Sequence, residues 1–171
     1  MIAHLLSGPL DELVAARVAE QLDKQVPEQV EKQVDELKLD AMYRHRWHGD
    51  PTRLRIHETA IVNNALFNMS GGTITVGEYA FFGHDVAILT GSHDIKQFGR
   101  ARQLAIPHSG RDVVIGAGVW LASHVLVFGP VTIGEHAVVA GGSLVRSDVA
   151  PYTVVAGRPA KVVKQLTPPV A

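Results

Sequence analysis

The sequence predicts a mainly β fold, a triangular parallel β-helix preceded by a helical segment. Two observations carry this prediction: apolar residues recur every four residues in the first part of the chain, and a six-residue period replaces that spacing later. The length of 171 residues suits one such domain with a small appendage. We therefore divide the chain into an N-terminal helical segment, 1–50, and a β-helix domain, 51–167.

The composition excludes several classes of function. Apolar residues make up 46% and charged residues 19%, as in ordinary globular proteins. The net charge of −1 argues against nucleic acid or anionic membranes as partners bound through bulk charge. The absence of Cys excludes disulfides, a thiolate nucleophile and Cys-ligated zinc. The absence of Cys fits a cytoplasmic protein, which we expect here. We also expect no membrane insertion, because the apolar start is too short and uncharged for a signal peptide and no apolar run is long enough to span a bilayer.

The helical spacing covers residues 9–46. Pro9 suits a first helical position, and an acidic first turn follows it. Apolar residues then recur at intervals of four as far as Pro27, which we expect to interrupt this helix and open a second one. The basic and aromatic cluster 43–48 is interpreted as a packed helix end or, alternatively, as a lid over an active site.

Beyond residue 50 a hexapeptide template repeats. Each hexad begins with an aliphatic or aromatic residue, often has Gly or Ala second, and has a small or β-branched residue fifth. Six consecutive hexads occupy 115–150 and three more occupy 76–93. Weaker hexads begin at Ile56 and Val62, and the frame slips by two residues before Val76. A sustained period of this kind is typical of a solenoid.

Three hexads make one triangular coil. We expect the first residue of each hexad to point inward and stack in ladders, and the fifth to sit where the chain bends between faces. Gly at the second position is expected where the backbone geometry would strain a residue with a Cβ. One coil cannot bury its own apolar face, so several must stack, and we count about five. The interruption of 21 residues at 94–114 is then a loop inserted at a corner.

Three pieces of this region resemble the hexapeptide-repeat acyltransferases, in particular the galactoside and maltose O-acetyltransferases. They are Leu89–Asp94, Ile115–Trp120 and Val154–Val163, within a similarity that runs from about Ile56 to Lys164. The resemblance implies a left-handed β-helix, acetyl-CoA or another acyl-CoA as co-substrate, no metal, and a homotrimer with its sites between subunits. It also implies transfer of an acetyl or other short acyl group to a hydroxyl or amine of a sugar-like or glycan acceptor.

The expected catalytic residue is His93. Acyl transfer from a thioester needs a base, and His is the natural one in a chain without Cys. His93 ends the coil 76–93, and the loop that follows can wall a pocket beside it. The resemblance puts the general base of the family at the same place. The group that orients the imidazole is left open between Glu78, Asp94 and a backbone carbonyl.

The resemblance implies acceptor contacts as well. Asn63 lies 30 residues before His93, which is the separation of an acceptor-binding Asn in the galactoside acetyltransferases, and Asn64 is a near alternative. That family has an acidic acceptor contact eight residues after the Asn, where this chain has Gly71. The departure argues against a galactoside-like acceptor.

Cofactor contacts are implied in the same way. The residues that match the carrier-binding positions of the family are Trp120, Ser123, Gly141, Arg146, Lys161 and Lys164. The three cations fall where the family holds the phosphates of coenzyme A, and a backbone N–H near Ser123 is the expected oxyanion donor. Trp120 has a second interpretation as a trimer contact. The cations of the inserted loop, Lys96, Arg100, Arg102 and Arg111, are either solvated or recognise a phosphate or carboxylate.

Two other function classes are weighed against the transferase. A metal hydratase of the γ-carbonic anhydrase type shares the β-helix, but it needs two His with four residues between them, and no two His in the sequence have that spacing. A non-catalytic solenoid that binds a ligand or acts as a scaffold would leave the pocket at His93 without a chemical role. Bound zinc would favour the hydratase, and failure to bind any acyl-CoA would favour the scaffold.

Overall fold

A computed structural model of the chain describes residues 9–168, which divide into two compact units between residues 42 and 43. The first unit is formed by α1, a helix of 35 residues that runs from Pro9 to Tyr43. Pro27 lies inside it, so the predicted interruption is wrong. Pro27 removes one backbone hydrogen bond, but the flanks are rich in Gln, Glu, Lys and Leu, which favour helix on both sides. Neither helix in the described part of the chain combines the length and apolar character needed to cross a bilayer.

The second unit consists of short strands, a 3₁₀ turn at Pro51–Arg53 and one further helix, α2, at Gly99–Leu104. The strands are β1 Arg46–His48, β2 Leu54–Ile56, β3 Leu66–Asn68, β4 Ile74–Val76, β5 Phe81–Phe82, β6 Ala87–Leu89, β7 Val113–Ile115, β8 Trp120–Leu121, β9 Leu126–Phe128, β10 Val131–Ile133, β11 Val138–Val139, β12 Leu144–Val145, β13 Thr153–Ala156 and β14 Lys161–Gln165.

These strands form three sheets, and the chain visits them in turn. Sheet I has the order β1-β3-β6-β9-β12, sheet II the order β2-β4-β7-β10, and sheet III the order β5-β8-β11-β13-β14. All neighbouring strands are parallel except β14, which folds back antiparallel on β13. From β1 to β13, consecutive strands belong to different sheets and each pairs with the strand one round away, so this part of the chain is a three-sided parallel solenoid. The prediction of a mainly β fold with parallel sheets and an N-terminal helix is confirmed.

The predicted hexad frame is the observed register. Ile115 pairs with Val76 on one side and with Ile133 on the other. The upstream hexad pairs at a spacing of 20 residues, with Ile56 opposite Val76, so the two-residue slip is taken up within the first full round. The stacking therefore continues in register through both the slip and the later insertion.

The inward positions form the core. The first residues of the nine hexads are all buried: Val76, Phe82, Ile88, Ile115, Leu121, Val127, Ile133, Val139 and Val145. Phe67 and Met69, from the irregular first round, are fully buried beside them. Burial of a Val, Leu, Ile or Phe side chain contributes about 1.5–3 kcal/mol, so these stacked ladders are the main source of stability.

Gly at the second hexad position has a different cause from the one predicted. Gly77 does not have a positive φ, and a Cβ placed on it would lie 2.8 Å from the backbone nitrogen of Ala117 in the next round. The close stacking of successive rounds at the corner therefore excludes a side chain. Positive φ occurs instead at the fourth position of a hexad, as at Tyr79 (53°) and Asp85 (56°).

The cluster 43–48 is not a helix end. α1 ends at Tyr43, and residues 46–48 form β1, so the predicted helix was three residues too long. β1 pairs in parallel with β3, which places Trp47 opposite Phe67. This pairing satisfies the backbone groups along the edge of β3 and covers Phe67, a tertiary gain that local periodicity does not reveal. The solenoid consequently begins before residue 51.

Gly77→Ala is expected to lower the free energy of unfolding by about 1–3 kcal/mol, because the new methyl group would overlap the backbone of the next round. Gly141→Ala is the matched control, since the nearest atom to its Cβ position is the carbonyl oxygen of Ser123 at 3.3 Å. Urea unfolding followed by circular dichroism measures both. Equal losses in the two variants would contradict the packing explanation.

Candidate functional site

The inserted loop leaves the solenoid at the corner between sheets I and II. β6 ends at Leu89 and β7 begins at Val113, so the loop occupies residues 90–112. Leu89 pairs with Phe128 and Val113 with Val131, both one round further along. The rounds on either side of the insertion therefore stay stacked, as expected of a loop inserted at a corner.

Two arginines hold the base of this loop. Arg53 donates from Nη2 to the carbonyl oxygen of His108 at 2.8 Å. Arg111 donates from Nε to the carbonyl oxygen of Thr90 at 2.7 Å, and its guanidinium carbon lies 4.7 Å from the centre of the Phe128 ring. The buried Nη2 of Arg111 has no hydrogen-bond partner among the described residues, and the Phe128 ring gives the same guanidinium a cation–π contact.

A carboxylate closes the loop at its other end. Asp112 accepts hydrogen bonds from the backbone nitrogen and the hydroxyl of Thr73, at 2.6 and 2.9 Å. These bonds, the backbone one first, lower the pKa of Asp112 below its usual value against the opposing effect of desolvation, and the charge of Arg53 makes the least contribution to the lowering. The ionised carboxylate is therefore the form that ties the loop to β4.

Inside the loop, α2 is held by the side chain of Arg102. Its Nε donates to the carbonyl oxygen of Gln97 at 2.6 Å, and its guanidinium carbon lies 4.9 Å from the centre of the Phe98 ring. Asp94 accepts from the backbone nitrogen of Lys96 at 2.9 Å. Two of the predicted anion-binding cations, Arg102 and Arg111, thus have structural partners within the loop.

His93 is oriented by a backbone carbonyl. Its Nδ1 lies 3.0 Å from the carbonyl oxygen of Arg102 in α2. A carbonyl oxygen only accepts, so Nδ1 carries the proton and the lone pair of the neutral ring is on Nε2. Of the three orienting groups left open by the sequence, the structure has the carbonyl. Asp94 is engaged with Lys96, and Glu78 lies at a different corner, between sheets II and III.

A small polar hollow of about 230 Å³ adjoins His93. Its lining residues are His48, Asn68, Ser70, Gly91, Ser92, His93 and Ile106. Asn68 is fixed by a hydrogen bond that its Oδ1 accepts from the backbone nitrogen of Ser70 at 2.9 Å. The lining contains imidazole, amide and hydroxyl groups and no carboxylate or guanidinium from the described chain. Among the side chains that the structure describes, no three His, Asp or Glu gather as they would to hold a metal ion.

The predicted acceptor residues lie at another corner, between sheets III and I. Asn63 has a φ of 45° and donates from Nδ2 to the carbonyl oxygen of Phe82 at 2.7 Å. Asn64 donates to Asp85 Oδ1 at 2.9 Å and accepts from the backbone nitrogen of Asp85 at 2.8 Å. In the described chain, neither Asn lines the hollow beside His93.

Three of the predicted cofactor residues come together at this second corner. Trp120 stacks on Phe81 with ring centres 5.7 Å apart and planes 13° apart, and each residue keeps 43% of its surface exposed. Ser123 follows in the adjoining turn, where its hydroxyl accepts from the backbone nitrogen of His84 at 3.1 Å. Gly141 lies above it, with its Cβ position 3.3 Å from the carbonyl oxygen of Ser123. These neighbours form one continuous outer surface.

The C-terminal cations divide between two places. Arg146 and Lys161 line a hollow of about 350 Å³ near the end of the solenoid, together with Ser147 and Asp148. Lys164 lies on β14, opposite Val154 of β13. The structure therefore brings two of the three predicted phosphate contacts into one hollow.

The predicted site is spread over two corners of a single chain. His93 belongs to the corner between sheets I and II, whereas Trp120, Ser123 and Gly141 belong to sheet III and the corner between sheets III and I. Each face is about one hexad long, and a strand rises about 3.3 Å per residue, so neighbouring corners are about 20 Å apart. One chain alone does not bring His93, the predicted base, to the surface predicted to bind the carrier.

His48 lines the hollow with His93 but is not among the site residues predicted from the sequence. The sequence pattern assigns it to the helix end or to a lid, whereas the structure places it at the last position of β1. The one available signal was the alternation of polar and aromatic residues in Arg46–Trp47–His48, just before the turn at Gly49. Three residues are too few to outweigh the long helical pattern before them.

Comparisons with known proteins agree with the resemblance. No protein-family model matches the chain. Serine acetyltransferase 2 of Arabidopsis thaliana is 35% identical over 109 residues, which are 64% of this chain and 32% of that protein. A putative acetyltransferase of Staphylococcus aureus is 31% identical over 113 residues, which are 66% of this chain and 55% of that protein. The chain thus spans about a third of the first relative and about half of the second.

Solved structures agree on the fold. A galactoside acetyltransferase in complex with coenzyme A superposes with a TM-score of 0.61 at 22% identity, over 95% of this chain and 84% of the other. A maltose O-acetyltransferase from Clostridium difficile superposes with a TM-score of 0.51 at 24% identity, over 89% and 84%. The relatives are named acetyltransferases, and the structural neighbours include a galactoside and a maltose acetyltransferase, so the resemblance based on the motifs is confirmed.

Asp112→Asn is expected to destabilise the protein at neutral pH. It should also make the free energy of unfolding fall less steeply as the pH is lowered. The folded-state pKa is lowered from 3.8, so the stabilisation is complete above that value and is lost as the pH falls through the folded-state pKa. The difference in free energy of unfolding between wild type and variant should therefore be constant near neutrality and shrink below about pH 4. Thr73→Val, which keeps the backbone donor, should show part of the effect. If the free energy of unfolding fell equally with decreasing pH in the wild type and both variants, the stabilising role of the Asp112 carboxylate would be contradicted.

Proposed function

We propose that this relative of the hexapeptide-repeat acetyltransferases moves an acetyl or another short acyl group from acyl-CoA to a hydroxyl or amine of a sugar-like acceptor. The observation that carries the proposal is the geometry of His93. The hydrogen bond between its Nδ1 and the Arg102 carbonyl oxygen, 3.0 Å long, leaves the Nε2 lone pair as the basic site of the neutral ring. Beside it lies a polar hollow at the mouth of the inserted loop.

The reaction follows from these parts. Nε2 of His93 takes the proton from the acceptor, and the freed oxygen or nitrogen attacks the thioester carbonyl. The tetrahedral oxyanion accepts a hydrogen bond from a backbone N–H near Ser123. When the intermediate collapses, the C–S bond breaks and the thiolate of coenzyme A leaves with the proton held by the imidazolium. A positioned general base contributes about 10²–10⁴ in rate.

The separation of the two corners supports a homotrimer. In such an assembly the corner between sheets III and I of one subunit lies against His93 of the next. Trp120, Ser123 and Gly141 then present the carrier to a base on the neighbouring subunit. Asn63 and Asn64 share that corner, so their proposed acceptor contacts would also be made across the interface.

The exposed in-register stripe Ile61, Phe81 and Trp120 is the apolar surface for the pantetheine arm or the adjoining subunit.

The phosphates of coenzyme A are assigned to the cations at the end of the solenoid. Arg146 and Lys161 already share one hollow, and Lys164 lies on the adjoining hairpin. A guanidinium pairs with a phosphate through two parallel hydrogen bonds, whereas each ammonium acts as a point charge. The carrier would thus extend from these cations along sheet III to Trp120.

His93→Ala is expected to lower kcat for acetyl transfer by about 10²–10⁴ while acetyl-CoA binding persists, because only proton transfer is removed. Free-thiol release with a panel of sugars and amino sugars measures the rate, and isothermal titration calorimetry measures binding. His57→Ala is the matched control, an exposed imidazole at the corner between sheets II and III. An undiminished rate in the His93 variant would place the base elsewhere.

Trp120→Ala is expected to raise the KM for acetyl-CoA several-fold with little change in the KM for the acceptor, because the proposed contact between the indole and the carrier would be lost. Sedimentation velocity separates this role from trimer packing, since a packing residue would alter the sedimenting mass before it altered KM. Trp47→Ala, an exposed indole on the first strand of the solenoid, is the control. If the variant formed a smaller assembly while the remaining trimer kept the wild-type KM for acetyl-CoA, Trp120 would be an interface residue alone.

A further inference from the structure

His48 is held at the hollow by the backbone contacts of β1. It ends β1 and pairs with Asn68 of β3, and its carbonyl oxygen accepts from the backbone nitrogen of Met69 at 2.9 Å. Met69 is fully buried, so this hydrogen bond ties His48 to the core of the solenoid. Gly49 follows with a φ of 100°, where the chain turns away. The imidazole is thus carried by a rigid element and reaches the hollow from the side opposite the inserted loop.

The hollow has two imidazoles and otherwise neutral groups. His48 and His93 line it with the Asn68 amide and the hydroxyls of Ser70 and Ser92. Each neutral imidazole has one donor and one acceptor nitrogen, and hydroxyls and amides also do both. The described lining offers no guanidinium for a carboxylate and no carboxylate for an ammonium group. This set of partners matches an array of neutral hydroxyl groups.

We propose that His48 is a second acceptor-binding residue and that the acceptor presents two neighbouring hydroxyl groups, as a neutral sugar does. The inference rests on the proposed function and deepens it. His93 Nε2 takes the proton of the hydroxyl that attacks the thioester, and the His48 imidazole hydrogen-bonds the hydroxyl next to it. The two contacts together fix which hydroxyl is acylated, because an acceptor turned by one carbon loses one of them.

The lining that this chain contributes favours a neutral acceptor over a free amino acid. Serine would bring an ammonium and a carboxylate group into a hollow that has no opposite charge among its described lining residues. Desolvating such groups without partners is costly, whereas a sugar hydroxyl finds donors and acceptors on every side.

The test is steady-state kinetics on the full chain with acetyl-CoA and three kinds of acceptor: neutral sugars, their monodeoxy analogues, and L-serine. We expect His48→Gln and His48→Ala to raise the acceptor KM about tenfold, the loss of one good hydrogen bond, with the KM for acetyl-CoA unchanged. The penalty should vanish on the one monodeoxy sugar that lacks the hydroxyl bound by His48. His57→Ala again serves as the control, and circular dichroism establishes that each variant is folded.

The outcomes separate the two proposals. Acetyl transfer to sugars with an acceptor KM that is the same in wild type and both His48 variants would overturn the role of His48 and leave the transferase intact. A preference of the wild type for L-serine would overturn the neutral acceptor. Transfer to none of the acceptors would overturn the proposed function, and the inference with it. A general structural defect would raise the KM for all sugars equally, including the monodeoxy analogue, and would also count against His48 as an acceptor contact.

Discussion

The inward stacking of one apolar side chain per hexad is the constraint on which the rest of the structure depends. Each round buries its ladder residues only against the rounds next to it, so the register must hold from β2 to β13. That register brings corner backbones so close that Gly77 has no room for a Cβ. It also decides where the chain can vary, since an extra residue on a face would turn the ladder outward while extra residues at a corner do not.

The candidate functional elements accordingly lie at corners. The loop 90–112 leaves one corner, and the ladder pairs across it without a gap. The loop then does more than wall a pocket, because its helix α2 supplies the carbonyl that sets the tautomer of His93. The orientation of this imidazole depends in turn on the contacts that hold the loop, among them Arg111 against Thr90 and Phe128. A catalytic role for His93 is therefore a property of the insertion as much as of the coil.

A three-sided prism also separates what a reaction needs to join. Its corners are held apart by rigid faces, so a base at one corner and a carrier surface at another do not meet within one chain. Symmetric assembly removes the difficulty, because the same two corners of different subunits can be neighbours. The exposed aromatic pair of Phe81 and Trp120 is consistent with a surface that another molecule covers.

The sequence by itself determined the solenoid, its hexad frame, the place of the insertion and the position of His93 beside it, because each rests on a period or an interruption that can be read locally. It did not determine the continuity of α1 through Pro27, the strand at 46–48, the reason for Gly77 or the partner of His93 Nδ1. The last three of these features depend on tertiary contacts. β1 forms because β3 offers an edge, and Gly77 is required because the backbone of Ala117 in the next round leaves no room for a Cβ. The Arg102 carbonyl oxygen reaches His93 Nδ1 only when the loop is folded. The hollow that joins His48 to His93 has the same origin, since only the tertiary structure brings the first strand of the solenoid to the insertion that follows β6.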